Sequence, residues 1–271
     1  MSEAAHSQDL PPDSRSERGG STGEAGEGGG LAPAFPVEPA TTAPFPPFGG
    51  TSPTLAQERE SGGRPDRYHF ALSPCGGMHI EVNGAPVLAR HSGALWLETE
   101  GALVLADVHL EKGSAYAARG QMLPPYDTRE TLRRIALEVE ALGPRLVVML
   151  GDALHDGEAE GRMAREDIDA FFAIARGRTV IWVVGNHDPE PPENLPGEPA
   201  EELALGALLL RHEPTPDGPA GEVAGHLHPC ARVVAGGRSV RRRCFVTDGR
   251  QLVLPAFGAY AGGLSIRDQA F

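Results

Sequence analysis

The sequence of 271 residues contains only three cysteines, and no two of them form a CxxC pair. Cys75, Cys230 and Cys244 are odd in number and widely spaced, which argues against both a disulfide framework and a thiolate zinc site. No apolar run approaches the roughly 18 residues that a membrane-spanning helix needs. The first residues lack a basic start followed by an apolar core, so we expect no secretory signal and a cytoplasmic protein.

Positive charge is also scarce, because 37 acidic residues outnumber 24 Lys and Arg and give a formal net charge of −13. This balance argues against tight non-specific DNA binding, although it does not exclude DNA as a substrate. Residues 1–66 carry −6 of this charge and contain 11 Gly and 10 Pro without apolar periodicity. Such a composition cannot bury enough apolar surface to offset its ordering entropy. We therefore predict a disordered tail over 1–66 and one globular domain over 67–271.

Within the predicted domain, short apolar runs alternate with turn residues. Three runs are β-branched and almost continuously apolar, as in strands buried on both faces: 102–107, 145–150 and 179–184. Shorter runs predict further strands at 68–73, 78–83, 86–90, 94–98, 207–212, 222–226, 243–246 and 251–256. The three continuous strands are separated by helical patterns, which predicts βαβ units followed by a strand-rich half.

Two segments have helical patterns. Over 126–142, apolar residues repeat at helical spacing on one face, at Leu132, Ile135, Val139 and Leu142. Asp127, with Glu130 three residues later, is expected to cap this helix. Residues 165–175 form the second candidate helix, whereas Glu111–Tyr126 is expected to be a long loop.

Polar side chains of types that bind metals follow five of the predicted strands, where each strand ends. In open α/β sheets, ligands bind beyond the carboxyl ends of the strands, so these side chains should meet at one edge. The five strand ends carry Asp107 and His109, Asp152, Asn186 with His187 and Asp188, His212, and His226 with His228.

Carboxylate, amide and imidazole donors without a thiolate suit Mn, Fe, Zn or Ni. These donors are too numerous for one tetrahedral ion, and a pair of ions about 3.5–4 Å apart, with a shared carboxylate, would use them all. Each group alone also fits a polar turn, because Asn, Asp and Gly are common turn residues. The coincidence at five strand ends favours the metal site.

The ordered motifs D-x-H, G-D, G-N-H-[DE], H and G-H-x-H over residues 70–266 resemble the calcineurin-like metallophosphoesterase superfamily. The resemblance implies a four-layer α/β/β/α sandwich with two mixed sheets. It implies that His187 is no ligand but protonates the leaving oxygen or steadies the transition state. From its place in the turn, Asp188 is expected to orient other groups and not to bind metal. The resemblance also implies two metal sites with Asp152 as the bridge: Asp107, His109 and His228 for one ion, and Asn186, His212 and His226 for the other.

A narrower resemblance, to the ligase-associated DNA-damage-response branch, is carried by residues 106–132, 151–157, 225–233, 241–246 and 254–263. It implies a metal-dependent phosphodiesterase or endonuclease that acts on DNA beside an ATP-dependent DNA ligase, with two divalent ions such as Mn²⁺.

Two other functions stay open from the sequence. The first is hydrolysis of small nucleotides or monoesters, which the acidic balance favours; a basic stripe through Arg119, Arg129 or Arg241–Arg243 would favour DNA instead. The three consecutive arginines also fit a solvated strand edge. The second is a metal-binding scaffold whose tail recruits a repair partner, against which the proton donor His187 argues. His155 and Asp156 are expected to lie around the ligands or in a loop, and not to be ligands themselves.

Overall fold

Eight strands form the first sheet of the computed structural model, in the order in which they occur along the chain. They are β1 (Leu72–Ser73), β2 (Gly77–Val82), β3 (Ala85–Arg90), β4 (Leu95–Leu97), β5 (Ala102–Ala106), β6 (Leu146–Leu150), β7 (Thr179–Val183) and β8 (Glu198–Ala200). Neighbours from β1 to β5 are antiparallel, and those from β5 to β8 are parallel. The structure describes residues 72–73 and 76–271, so the tail predicted over 1–66 lies outside the described residues.

Four helices connect β5, β6 and β7 and cover one face of this sheet. They are α1 (Lys112–Ala118), α2 (Asp127–Leu142), α3 (Ala159–Arg162) and α4 (Arg165–Ala175). The apolar face predicted for α2 is buried, and Ile135 packs in one cluster with Phe171 of α4 and Leu103 of β5. The predicted βαβ units are therefore confirmed.

The start of α2 differs from the prediction. Asp127 begins the helix but caps nothing in it, because its carboxylate accepts the backbone N–H of Gly113 at 2.8 Å. Gly113 lies in the first turn of α1, where backbone N–H groups have no partner within the helix. The segment expected to be a loop thus contains α1, and Asp127 joins the two helices.

The later part of the chain contains seven strands and, among the residues described, no helix. They are β9 (Leu203–Leu205), β10 (Leu208–Arg211), β11 (Glu222–Ala224), β12 (Cys230–Ala235), β13 (Arg238–Arg243), β14 (Val246–Thr247) and β15 (Leu252–Val253). Five of them form a second mixed sheet in the order β14-β15-β11-β10-β9. β12 and β13 form a separate two-stranded sheet, and Cys230 at the start of β12 also forms an isolated bridge with Ser265.

The two larger sheets pack face to face. Alternate residues of a strand point to opposite faces, so β5 contributes side chains to a core on each of its sides. In β5, Leu103 joins the cluster under the helices, whereas Val104 joins a second cluster with Leu210 and Val223 of the second sheet. The predicted α/β fold with two mixed sheets is confirmed. The expected four-layer sandwich has a helical layer on each side, but residues 76–271 contain no helix after Ala175 that could form the second one. No helix in the described part of the chain is long and apolar enough to cross a membrane.

Candidate metal centre

The side chains predicted to bind metal lie at one edge of the two sheets, where five parallel strands end. β5, β6 and β7 of the first sheet and β10 and β11 of the second each end one to three residues before such a side chain. The backbone at this edge is unusual. Among all the described residues, eight other than glycine have φ between 47° and 65°. This left-handed region costs L-residues about 1–2 kcal/mol. Five of those eight are predicted ligands: Asp107, His109, Asp152, His226 and His228.

One group of ligand atoms lies at the end of β5. Asp107, His109 and His228 each offer a nitrogen or oxygen within 4.8 Å of the others. The Asp107 carboxylate is fully buried, and it accepts the backbone N–H of His226 at 3.0 and 3.1 Å from its two oxygens. Asp107 therefore fixes the position of the loop that carries the two later histidines.

A second group lies beside the first. Asp152, His212 and His226 also offer atoms within 4.8 Å of one another. The ring nitrogen Nε2 of His212 lies 3.0 Å from Asn186 Oδ1 and 3.1 Å from His226 Nδ1. All seven predicted ligands are thus brought together.

Asp152 lies between the two groups. Its Oδ2 is 3.8 Å from Nε2 of His109, which belongs to the first group, and its Oδ1 is 3.4 Å from Nε2 of His212, which belongs to the second. One carboxylate facing both groups is the arrangement that two neighbouring ions would share.

Buried polar atoms test whether metal ions fit this centre. His109 Nδ1 and His228 Nε2 have no hydrogen-bond partner, although His228 Nε2 lies 3.1 Å from Asp107 Oδ1. Burial, with the neighbouring His228 as the next cause, lowers the pKa of His109 to about 2. A neutral imidazole is the form that binds a cation, so the residues present fit divalent metal ions.

His187 lies at the same edge but is exposed, with 42% of its side chain accessible. Its backbone N–H donates to Asp152 Oδ1 at 2.9 Å, and its ring Nδ1 lies 2.9 Å from the carbonyl oxygen of His155. A carbonyl only accepts, so Nδ1 carries a hydrogen. Nε2, 3.9 Å from Asp152 Oδ2, is therefore the nitrogen that can exchange a proton at the centre.

Asp188 holds the loop of Asp152 in place and is buried. Its carboxylate accepts three backbone N–H groups at 2.7–3.0 Å, those of Asp152, Ala153 and Leu154. Burial raises the pKa of Asp188 to about 6, against the effect of these hydrogen bonds. Asp188 thus contacts backbone and not the two ligand groups, in agreement with the expected orienting role.

Gly185 explains how the loops of β6 and β7 come so close. A Cβ at this position would lie 2.2 Å from the backbone nitrogen of Asp152 and 2.6 Å from Asp188 Oδ1. Its φ is not positive, so the glycine is required by the close approach of the Asp152 backbone.

His155 belongs to the centre more closely than the sequence indicated. It is buried, its ring stacks on His187 with centroids 5.1 Å apart, and it meets the His109 ring edge-on at 5.4 Å. Its ligand nitrogen lies within 4.8 Å of those of the same two histidines. The spacing of three residues from Asp152 was the available signal, but a short loop does not reveal which side chains turn inward.

Comparisons with known proteins agree with this geometry. The family model of the calcineurin-like phosphoesterases matches residues 102–236. The chain is similar to the crystal structure of the nuclease MPE of Pseudomonas putida, with 30% sequence identity and a TM-score of 0.58. The match covers 70% of this chain and 92% of that one. No curated protein sequence matches the chain.

Proposed function

The chain belongs to the calcineurin-like metallophosphoesterase superfamily and is a metal-dependent phosphoesterase, and we propose that it hydrolyses the phosphodiester bonds of DNA. The observation that carries the proposal is the position of Asp152 between two groups of ligand atoms. A centre for two ions suits displacement at phosphorus, because one ion can act on the attacking side and the other on the leaving side. The likeness to a nuclease supports a nucleic-acid substrate.

The proposed ligands are those that the sequence indicated. Asp107, His109 and His228 would hold one ion, Asn186, His212 and His226 the other, and Asp152 both; we propose Mn²⁺, with Fe, Zn or Ni suiting the same donors. When bound, the ions lower the pKa of a nearby water towards neutrality and neutralise charge on the phosphate oxygens.

The other residues of the centre position groups and move a proton. Asp188 fixes the backbone that carries Asp152, and the His155 carbonyl fixes the ring of His187. His187 Nε2, exposed at the same edge, is positioned to donate a proton to the departing oxygen, as a general acid does.

A cleavage assay tests the proposed substrate. We expect the full-length protein with added Mn²⁺ to cut a labelled single-stranded DNA oligonucleotide and to hydrolyse bis(p-nitrophenyl) phosphate. Chelation should stop both reactions, and restored Mn²⁺ should restart them. Hydrolysis of the small diester alone would remove DNA as the substrate while leaving the chemistry in place.

His187→Ala is expected to slow DNA cleavage by about 10²–10⁴-fold, the usual contribution of a positioned acid. Hydrolysis of bis(p-nitrophenyl) phosphate should fall much less, because nitrophenolate leaves readily without a proton. The measurement is kcat for both substrates with wild type and variant. An equal loss with both substrates would contradict the proton-donor role.

Hydrolysis of small nucleotides is a second candidate, favoured by one cleft beside the centre. This cleft of about 860 Å³ is lined by His226 and by three acidic residues, Glu213, Asp217 and Asp248, with Arg250 as the basic residue among those described. Such a surface repels the many charges of a polyanion more strongly than the few charges of a small nucleotide. Turnover of nucleotide diesters without cleavage of DNA would favour this candidate.

The biological setting is proposed on the motifs of the narrower branch. We propose a cytoplasmic enzyme of a DNA-repair pathway, with an ATP-dependent DNA ligase and other repair proteins as candidate partners. The predicted division into a tail over 1–66 and a catalytic domain over 67–271 stays a proposal. Co-purification of the ligase with the full-length chain, but not with residues 67–271, would assign recruitment to the tail.

A further inference from the structure

Two strands outside the main sheets form a basic β-ribbon, here defined as residues 230–243. β12 and β13 pair in register from Cys230 with Arg243 to Ala235 with Arg238. From 223 to 247 the sequence contains five arginines and neither Asp nor Glu, in a chain whose net charge is −13. The ribbon therefore concentrates positive charge on an acidic protein.

The charge of the ribbon is not balanced by carboxylates. Within the described residues, arginines form ion pairs with carboxylates only at Arg90, Arg129, Arg133, Arg162, Arg165 and Arg211. The ribbon arginines that donate hydrogen bonds do so to neutral groups, as Arg232 does to the Ser239 hydroxyl at 3.3 Å and Arg242 to a backbone carbonyl at 3.1 Å. The ribbon thus keeps its full positive charge.

One face of the ribbon combines exposed arginines with exposed apolar side chains. Paired residues of antiparallel strands share a face, which places Arg238 and Arg242 on the same side as the Val233–Val240 pair. The side chains of all four residues are exposed. Arg238 and Arg242 are four residues apart, or about 13 Å along the strand. A nucleic-acid strand, with regularly spaced phosphates beside apolar bases and sugars, complements such a face.

The base of the ribbon borders an arginine cleft of about 790 Å³. Among the described residues that line it, five are arginines, one is His91, and none is acidic. Arg90 pairs with Glu138 at 2.8 Å, which balances its charge. Arg134 and Arg243 instead donate to backbone carbonyls, for example to those of Phe257 and Gly258 at 2.8 and 2.7 Å. The cleft therefore continues the positive surface of the ribbon.

The ribbon and the arginine cleft are linked to the candidate metal centre through the backbone. β12 begins two residues after His228. The segment held by Arg243 also braces Asp107, because the Gly258 N–H donates to the Asp107 carbonyl at 3.1 Å. The cleft that borders His226 instead carries three acidic side chains and one arginine among mostly neutral residues. The sign of the charge thus differs between the two clefts, and a polyanion is attracted only to the arginine cleft.

We propose that the basic β-ribbon and the arginine cleft bind the phosphate backbone of a DNA strand whose scissile phosphodiester lies at the metal centre. This inference rests on the proposed function, because it names the surface that holds that substrate. Phosphate contacts fix the register and orientation of a nucleic acid without reading its sequence. The surface therefore provides affinity for DNA that the acidic remainder of the protein lacks.

The test compares two pairs of exposed arginines. Arg238→Gln/Arg242→Gln removes two charges from the ribbon, and Arg165→Gln/Arg176→Gln removes two from the exposed surface of α4 and its end. Binding of a fluorescein-labelled phosphorothioate single-stranded oligonucleotide, which resists cleavage, is measured by anisotropy with the full-length, Mn²⁺-loaded protein. We expect Kd to rise about tenfold for the ribbon pair at low salt, as two exposed ionic contacts would give. The slope of log Kd against log salt should fall by about 1.4, while the α4 pair should bind like wild type.

Two further measurements make the outcome decisive. Arg238→Lys/Arg242→Lys keeps both charges and should retain most of the binding, which separates charge from folding. The proposal is overturned if the ribbon pair binds like wild type, if both glutamine pairs lose binding equally, or if wild type binds no DNA. Hydrolysis of bis(p-nitrophenyl) phosphate by wild type tests the metal centre separately. Ribbon-dependent binding without any hydrolysis would defeat the proposed function and leave this binding surface in place. Hydrolysis of the small diester without DNA binding would instead overturn the surface and DNA as the substrate, and would leave the phosphoesterase chemistry in place.

Discussion

Asp152→Asn is expected to lower the turnover of bis(p-nitrophenyl) phosphate about a thousandfold and to reduce the metal content of the protein. The two oxygens of Asp152 face different ligand groups, at 3.4 Å from His212 Nε2 and 3.8 Å from His109 Nε2. The amide keeps one of these oxygens but replaces the other with an NH₂ group, which cannot bind a cation. A loss of about 4 kcal/mol in transition-state stabilisation corresponds to this factor. Metal content by mass spectrometry and kcat measure the two effects.

Asp169→Asn is the matched control for this variant. Asp169 lies on α4, is 59% exposed in its side chain, and pairs with Arg165 at 3.1 Å. Surface pairs of this kind contribute little to stability, so metal content and turnover should stay unchanged. An Asp152→Asn protein with two bound ions and full turnover would disprove the shared-carboxylate assignment. Turnover by metal-stripped wild type would disprove the metal mechanism as a whole.

Gly185→Ala is expected to reduce turnover by about 10² although it removes no functional group. The added methyl would lie 2.2 Å from the Asp152 backbone nitrogen and 2.3 Å from its Oδ1, so the loop of β6 or the loop of β7 must move. A displacement near 1 Å at a catalytic centre costs about this factor. Because Asn186 and His187 follow directly, their positions change relative to Asp152. Turnover, metal content and thermal unfolding of the variant provide the measurement.

Gly161→Ala controls for the substitution itself. Gly161 lies in α3, and a Cβ there meets nothing within 4 Å. Alanine favours a helix over glycine by up to about 1 kcal/mol, so this variant should be fully active and at least as stable as wild type. If Gly185→Ala also keeps wild-type turnover, the loops tolerate separation, and the close approach is not needed for catalysis.

The candidate centre was predictable from the sequence because its signals are local. A buried strand, a turn and a polar side chain are consecutive in the chain, as in the segment from Ala102 to His109. The carboxyl ends of parallel strands lie at one edge of the sheet, so the strand pattern alone predicts that these side chains meet. For this reason the sequence indicated the seven candidate ligands and His187, and the structure places all eight at one edge.

Features that depend on distant partners were not predictable. Asp127 looks like a helix cap until Gly113, fourteen residues earlier, supplies the N–H that it accepts. His155 follows Asp152 by three residues, but only the tertiary fold stacks it on His187. For the basic β-ribbon, the sequence predicted only a short strand at 243–246. The exposed strand β13 lacks the alternation of apolar and polar residues by which a half-buried strand is predicted.

The left-handed backbone at five of the predicted ligands has a consequence for how this chain could diverge. Each such residue costs about 1–2 kcal/mol that glycine would not. Selection for hydrolysis therefore retains side chains that selection for stability alone would remove. A descendant that no longer needed the activity could exchange His228 for glycine and become more stable. Stabilised glycine variants of this kind, inactive but folded, are the trade-off that such a centre imposes.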